Sequence, residues 1–495
     1  MFWEGVNPCF RQPERTPLHH FPLCTGCTIR AHEIVAFTPG HIFDRLFLIR
    51  QGGRLFLSNS LPFVLRAAGA RLHPQDLLYH WRFGITRAHR QSAPLERGKV
   101  EFFQNINIVI GRDHQVRCEA KPLSPDFDSF ADYKEKLDSF LEEISAAMRD
   151  ECNIRYEPVS TISAGYDSPA AAVLAKSIGA TRALTISDSR YGEVDDDSGE
   201  AIAERLGLSA SARSRDEYRL FGFEAERLFY LYGQPEDIVF YSFRGELRRT
   251  LLFTGYRGDL MWDINARPIG TLGFDPGGAT LQCFRLRSDF VHFPIAFFGW
   301  ARHSKVIAIS RSEEMKPWSL GSSYDRPIPR RFVEEAGVPR HLFGVKKRAV
   351  AVMYGVDKWH YVGPRELSVS AEFAELLRRH AERWRSSGVD LAMAAGNGLH
   401  ALMRRTNAAM GQNERKRSRP GGTTLRSKLA ETMSLMGNPH RAFWIPFTDL
   451  CFAAQAVNEL LALDYPSVEQ LAGGRRHDEE ILPARRPSLA EAMPL

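Results

Sequence analysis

Ser163-Ala164-Gly165-Tyr166-Asp167-Ser168 stands between an apolar, β-branched run, Pro158 to Ile162, and an alanine-rich run, Pro169 to Lys176. A strand ends, a loop of small residues turns, and a helix begins. Such a loop suits phosphate. Gly165 lets the backbone approach an anion closely, and the new helix points free N–H groups and its dipole at the same place. Ser163 and Ser168 add hydroxyl donors, and Pro169 fits a first helical turn, where it has no N–H to lose. Asp167 would repel a phosphate unless a cation lies between them, and Mg²⁺ with one or two carboxylates is the usual arrangement. The competing reading is a tight turn with a helix cap. No Gly-Lys-Ser/Thr follows, and the G-x-G-x-x-G spacing is absent, so neither a Walker loop nor a Rossmann fingerprint is present.

A second loop has the same design. The apolar strand Thr250-Leu251-Leu252-Phe253 leads into Thr254-Gly255-Tyr256-Arg257-Gly258-Asp259. Two such loops in one sheet make coincidence a poor explanation. Asp167 and Asp259 are candidate ligands for Mg²⁺ between a triphosphate and the protein. Arg257 is a candidate contact for the released phosphates, set against a solvated loop arginine. Gly344-Val345-Lys346-Lys347-Arg348 gathers three cations, which either form a solvated face or stabilise charge at phosphorus. Asp325-Arg326-Pro327-Ile328-Pro329-Arg330-Arg331 is basic and proline-rich.

Between the two loops, strands and helices alternate. Val159 to Ser163 is followed by a helix over 169–178, and Arg182 to Ser187 by a helix from Gly199 to Leu206. This alternation predicts a parallel, doubly wound sheet, with ligands at the carboxyl ends of its strands. Ser163–Ser168 and Ser187-Asp188 fall there. The first 125 residues read differently. Leu46–Ile49, Arg54–Leu57 and Ile106–Ile110 are strands, Gln51-Gly52-Gly53 is a hairpin turn, and Pro62–Ala70 and Pro74–Phe83 have helical spacing. That mixture predicts an α+β unit, ending near Leu123-Ser124-Pro125-Asp126. An amphipathic helix follows from Phe130 to Met148, with Phe130, Tyr133, Leu137, Phe140, Leu141 and Ile144 on one face. Beyond about residue 365 the chain is helical and alanine-rich, interrupted by a basic loop, Asn413 to Gly422, and ending in a polar tail.

Composition narrows the classes. The chain has 495 residues, 44% apolar and 25% charged, with net charge +6. That is enough for two domains and weakly favours anionic ligands. Seven scattered cysteines fit a reducing cytoplasm better than a disulfide framework. Cys24-Thr25-Gly26-Cys27 lacks the second pair that a zinc site needs. No signal-peptide pattern and no membrane-length apolar run occurs, so a cytoplasmic protein without membrane contact is expected.

The two loops resemble those of the asparagine synthetase superfamily. Its pyrophosphate loop reads Ser-Gly-Gly-x-Asp-Ser, matched here from Ser163 to Ser168 with Ala164 replacing one glycine. Its second motif, roughly Ser-Gly-x-Gly-Gly-Asp-Glu, resembles Thr254 to Leu260. Ala201-Ile202-Ala203-Glu204-Arg205-Leu206-Gly207 is similar to the family helix ending in Ala-x-x-Leu-Gly, and Leu342 to Ala349 resembles the segment carrying a family lysine, at Lys347. The likeness runs in order over about residues 30 to 350. It implies an α+β, Ntn-like domain over 1–125 and an α/β doubly wound, HUP-like pyrophosphate-loop domain over 126–410. A basic loop, helices and tail occupy 411–495.

The resemblance also implies a reaction. ATP and Mg²⁺ bind at the loops, a substrate carboxylate attacks the α-phosphorus to give an acyl-adenylate and pyrophosphate, and ammonia or an amine displaces AMP to leave an amide. Ser163, Ala164, Gly165, Tyr166, Asp167, Ser168, Thr254, Gly255 and Gly258 would contact the nucleotide. Ser187 would line its adenine pocket, Asp167 and Asp259 would hold the metal, and Lys347 would stabilise the transition state with Asp259 and Arg257 beside it. Two departures matter. Phe2 follows Met1 where the synthetases carry a nucleophilic cysteine, so glutaminase activity is not expected, although Phe56 to Pro62 looks like a remnant of that domain. Ammonia, free or from a partner protein, or an amine would then be the donor. Leu260 replaces a family Glu, and Tyr256, Asp263, Glu236 and Asp237 are unranked candidates for the missing base. The carboxylate is a small molecule, peptide or sugar, nucleic acid is not an expected partner, and a homodimer is one compatible assembly. Two other readings compete: a catalytically degenerate nucleotide-binding scaffold or partner subunit, and a pyrophosphate-loop enzyme acting on RNA.

Overall fold

The structure, a computed structural model, describes residues 2–74, 76, 79–84, 88–151, 153–188, 197–233, 235–266, 277–322, 324–345, 350–352, 356–357, 360–361, 369–384, 447–468 and 470. Lys347, the loop 413–422 and the tail lie outside them. Among the described residues, nine strands fill the first 120 positions: β1 (Phe2–Val6), β2 (Leu23–Ile29), β3 (Glu33–Phe37), β4 (Leu46–Gln51), β5 (Arg54–Ser58), β6 (Arg90–Pro94), β7 (Lys99–Phe103), β8 (Ile106–Gly111) and β9 (Val116–Ala120). They form two antiparallel sheets, ordered β1-β2-β3-β8-β9 and β5-β4-β7-β6. The hairpin turn falls where the glycines predict it. Gln51 pairs with Arg54, and the two residues between, Gly52 and Gly53, have φ of 58° and 71°, the left-handed pair that matches strand twist.

Several of these strands escape the sequence reading. β1 and β9 carry their apolar residues irregularly, and their pairing partners define them. The helix expected over Pro74–Phe83 is shorter. Among the described residues it spans Tyr79–Arg82, and Arg82 Nε reaches back to Asp76 at 3.1 Å. Cys24 and Cys27 both lie on β2. An odd spacing on a strand sends side chains to opposite faces, so Cys24 is buried while Cys27 is partly exposed, and the C-x-x-C is no paired site.

The helix Phe130–Arg149 begins after Ser129, whose side chain caps it. All six residues of the expected apolar face are buried. The second sheet follows: β10 (Glu157–Thr161), β11 (Arg182–Ile186), β12 (Ser209–Arg213), β13 (Thr250–Thr254) and β14 (Val291–Pro294), all parallel, in the order β12-β11-β10-β13-β14. Both faces are covered. Leu251 and Phe253 enter the core formed with the helices Phe130–Arg149 and Asp167–Ser177, while Leu252 between them enters the opposite core with Phe229, Tyr241 and Phe284. Such two-sided burial is the condition for a parallel sheet. β12, Ser-Ala-Ser-Ala-Arg, has no apolar signal of its own; it is an edge strand held by β11. Among the described residues no helix is long and apolar enough to cross a membrane.

A buried polar cluster ties the antiparallel part to the parallel part. Arg285, on the helix Leu281–Ser288, donates from Nε to Asp44 (2.9 Å) and from both terminal nitrogens to Glu4 (3.0 Å each). His41 Nε2 lies 3.9 Å from Asp44. His292 Nε2 is 2.8 Å from the Thr254 hydroxyl, and the two imidazoles lie tilted at 53° with their centroids 6.0 Å apart. Burial pushes His41 down to about 4 and His292 to about 3, so both are neutral near neutral pH.

Two outcomes are expected. Arg285→Met leaves Asp44 buried without its cation and should cost about 3–5 kcal/mol, read as an earlier midpoint in urea. The histidines set an acid limit. Their folded pKa values lie below the unfolded value of about 6.5, so below that pH the unfolded chain takes up protons the folded chain refuses. Stability is therefore full above pH ~6.5 and falls as the pH drops towards 4, by up to ~1.4 kcal/mol per unit for each group. Urea midpoints between pH 7 and 5 should fall less steeply in the double variant His41→Gln, His292→Gln.

Candidate functional site

β10 and β13 are neighbours with Ser160 opposite Phe253, so the loops 163–168 and 254–259 leave the sheet side by side. The chain builds β10, β11 and β12 outward in one direction, then returns to place β13 and β14 on the other side of β10. The reversal between β10 and β13 is a topological switch point, where open α/β sheets leave a crevice for ligands.

The two loops meet at glycines. A Cβ on Gly255 would lie 2.5 Å from Asp167 Cβ, and one on Gly258 would overlap the Asp167 carboxyl group. Neither glycine has positive φ among the residues so described; each is needed for close approach. The first loop is bonded internally. The Ser163 and Ser168 hydroxyls are 2.7 Å apart, and the Gly165 N–H donates to Ser163 Oγ at 3.2 Å. The Ala164 N–H donates to Asp197 O (3.2 Å) and the Ala164 carbonyl accepts from the Gly344 N–H (2.9 Å). The Tyr166 side chain lies in the core. It is fully buried, and its hydroxyl accepts from Arg330, whose guanidinium lies 4.8 Å over its ring.

A cation missed by the sequence reading occupies the centre. Arg326, 3% exposed, donates to the Asp167 carboxylate, and its Nε is 3.7 Å from Asp263. Burial opposes its charge, but Asp167, Tyr324 and Asp259 together push its pKa above the ordinary arginine value. The loop before it is fixed by Asp325, which accepts from Ser319 Oγ (2.6 Å), Leu320 N (2.8 Å) and Gly321 N (2.9 Å). Pro327 then starts the helix Pro327–Glu335, packed against the helix Asp167–Ser177. The only sequence signal was the basic, proline-rich run 325–331. Nothing local says that its first arginine is buried among acids 60 to 160 positions earlier.

The remaining candidates separate. Ser187, just past β11, donates to Asp188 Oδ1 (2.6 Å) and Arg213 O (3.2 Å) on the same rim of the sheet. Arg257 has left-handed backbone, φ 60°, and donates from Nη2 to Gly277 O at 3.2 Å. The Thr254 side chain turns to His292 rather than into the crevice. Of the candidate bases, Tyr256 donates to Asp237, which also accepts from the Thr280 hydroxyl and from Gly278 N at 2.8 Å. Burial pushes Asp237 up to about 6. Leu260 brings no carboxylate; its carbonyl meets His303 Nε2 at 2.7 Å. Among the described residues no group of three or more His, Cys, Asp and Glu side chains converges as a metal site. The carboxylates of Asp167 and Asp259 are hard oxygen donors of the kind Mg²⁺ takes, and a metal at Asp167 would have to compete with Arg326.

Compared with protein-family models and with curated proteins, the chain matches none of them. Gly258→Ala is expected to force Asp167 off Arg326 and cost roughly 1–3 kcal/mol as overpacking; thermal melting beside the control Gly245→Ala, at an exposed glycine with open space around it, measures it.

Proposed function

We propose that the chain is an ATP-dependent, AMP- and pyrophosphate-forming amide ligase, related to the asparagine synthetases and without glutaminase activity of its own. The antiparallel part would be a degenerate Ntn-like domain and the parallel sheet a pyrophosphate-loop domain. One observation carries the reading. Two small-residue loops leave adjacent parallel strands at the switch point of the sheet, with Asp167, Asp259, Asp263 and Arg326 gathered between them. Loop backbone and serine hydroxyls offer donors to phosphate oxygens. Arg326 offers a fixed positive charge where negative charge develops at phosphorus. Asp167 and Asp259 would hold Mg²⁺, which screens the phosphates and withdraws charge from the leaving pyrophosphate.

In the first step a carboxylate oxygen bonds to the α-phosphorus and the bond to the β-phosphate bridging oxygen breaks. In the second, a neutral amine adds to the acyl carbon, AMP departs with the electron pair of the acyl–oxygen bond, and the amine gives up a proton. Arg326 would add a cation to the one that the family resemblance assigns at Lys347, which lies outside the described residues. A second reading, a nucleotide-binding scaffold without catalysis, draws on the same Arg326–Asp167 ion pair and on Leu260.

Calorimetric titration should detect Mg·ATP binding that weakens at least tenfold in Asp259→Asn and in Arg326→Ala. ATP–pyrophosphate exchange dependent on an added carboxylate separates ligase from scaffold. Unchanged binding in both variants would sink the site assignment.

A further inference from the structure

A cavity of about 240 Å³ lies at the seam between the two parts of the chain, lined by His20, His89, Asn105, Lys121, Leu123 and Trp300 among others. It is smaller than the ~300–1,000 Å³ of sites for drug-sized ligands. Its composition is one-sided. No acidic side chain lines it, and among the described residues no carboxylate is within salt-bridge distance of Lys121. Among the described residues the lysine Nζ has one hydrogen-bond partner, the Asn107 side-chain oxygen at 3.0 Å, which leaves two of its three donors for other acceptors. His20 Nε2 is buried and has no hydrogen-bond partner among the described residues. Its ring packs near Phe140 and Phe298. The opposite wall is the buried Trp300, edge-on to His89 at 6.3 Å, beside Pro122 and Ala301. Asn105 stands in left-handed backbone, φ 47°, at the tight β7–β8 turn that brings its side chain to the cavity.

A half-buried ammonium with no acid beside it is short of counter-charge, and an apolar pocket with a few convergent nitrogen donors is the form that small-molecule sites take. We propose that this cavity binds a small organic carboxylate, its oxygens held by the Lys121 ammonium and the His20 imidazole and its apolar body set against Trp300. The site is separate from the crevice at Asp167 and does not depend on the nucleotide reading. Burial pushes Lys121 down to about 7, with the Cys24 thiol on β2 acting weakly in the other direction. Burial and His19 push His20 down to about 4, against Glu143. The imidazole is therefore neutral and able to carry its proton on Nε2, and the ammonium is the group that titrates near neutrality. Affinity for a carboxylate is full below pH ~7 and is lost as the pH rises through it.

Benzoate is the probe, titrated calorimetrically into the full chain at pH 6 and pH 9, with neutral benzamide and inorganic phosphate as comparisons. The expected result is saturable benzoate binding at pH 6, at least tenfold weaker at pH 9 and at least tenfold weaker for benzamide and phosphate. Lys121→Met should abolish both the binding and its pH dependence. His89→Gln should keep the pH dependence, and Asp259→Asn should bind benzoate as the parent does. Circular dichroism melts check each fold, and Trp300→Ala, expected to weaken benzoate without altering its pH dependence, serves if Lys121→Met does not fold. Absence of saturable benzoate binding at pH 6, equal binding of benzamide, or phosphate binding as tightly as benzoate would each overturn the proposal.

Discussion

The approach of Gly255 and Gly258 to Asp167 is the contact on which the crevice depends. Two parallel strands deliver two loops to one rim, but side chains would hold those loops apart. With hydrogen alone at both positions, the second loop closes onto the carboxylate of the first. That brings Asp167 and Asp263 within ion-pair reach of one guanidinium, with the Asp259 charge acting on it from farther off. Arg326 is buried because those acids are there, and their mutual repulsion is tolerable because Arg326 is there. The rigid turn at Asp325 and the proline-started helix behind it fix where that charge can sit.

The same economy appears at the seam between the antiparallel and parallel parts. Arg285 neutralises Asp44 and Glu4 from two strand-bearing segments. Gln282 on the same helix donates to the carbonyls of Arg45 (2.7 Å) and Asn59 (2.8 Å) and accepts from Tyr232 at 3.0 Å. These groups fix the two parts against each other by directional bonds, while the apolar residues around them supply most of the burial. His292 links this seam to Thr254 at the root of the second loop, so the joint and the crevice share a wall.

Much of this was legible because it is local. The helix Phe130–Arg149 shows its buried face in a 3.6-residue period, and the Gly52-Gly53 turn names its own conformation. The strand–loop–helix passages at 163 and 254 carry their glycines and aspartates in adjacent positions. What was missed is what pairing decides. β12 has no apolar signal, and Arg326 reads as one cation in a basic run. Tyr166 belongs by sequence to the phosphate loop, yet it points into the core under Arg330.

The sequence by itself determined the alternation of strand and helix, the two small-residue loops and the acids they carry, because period, glycine and capping act over a few residues. Long-range packing alone sets the loops at one switch point and seats Arg326 against Asp167 and Asp263. It also decided that Lys121 faces a cavity without an acid. Those are facts about which distant residues share a low-dielectric space, and charge is expressed there through neighbours that no local pattern specifies.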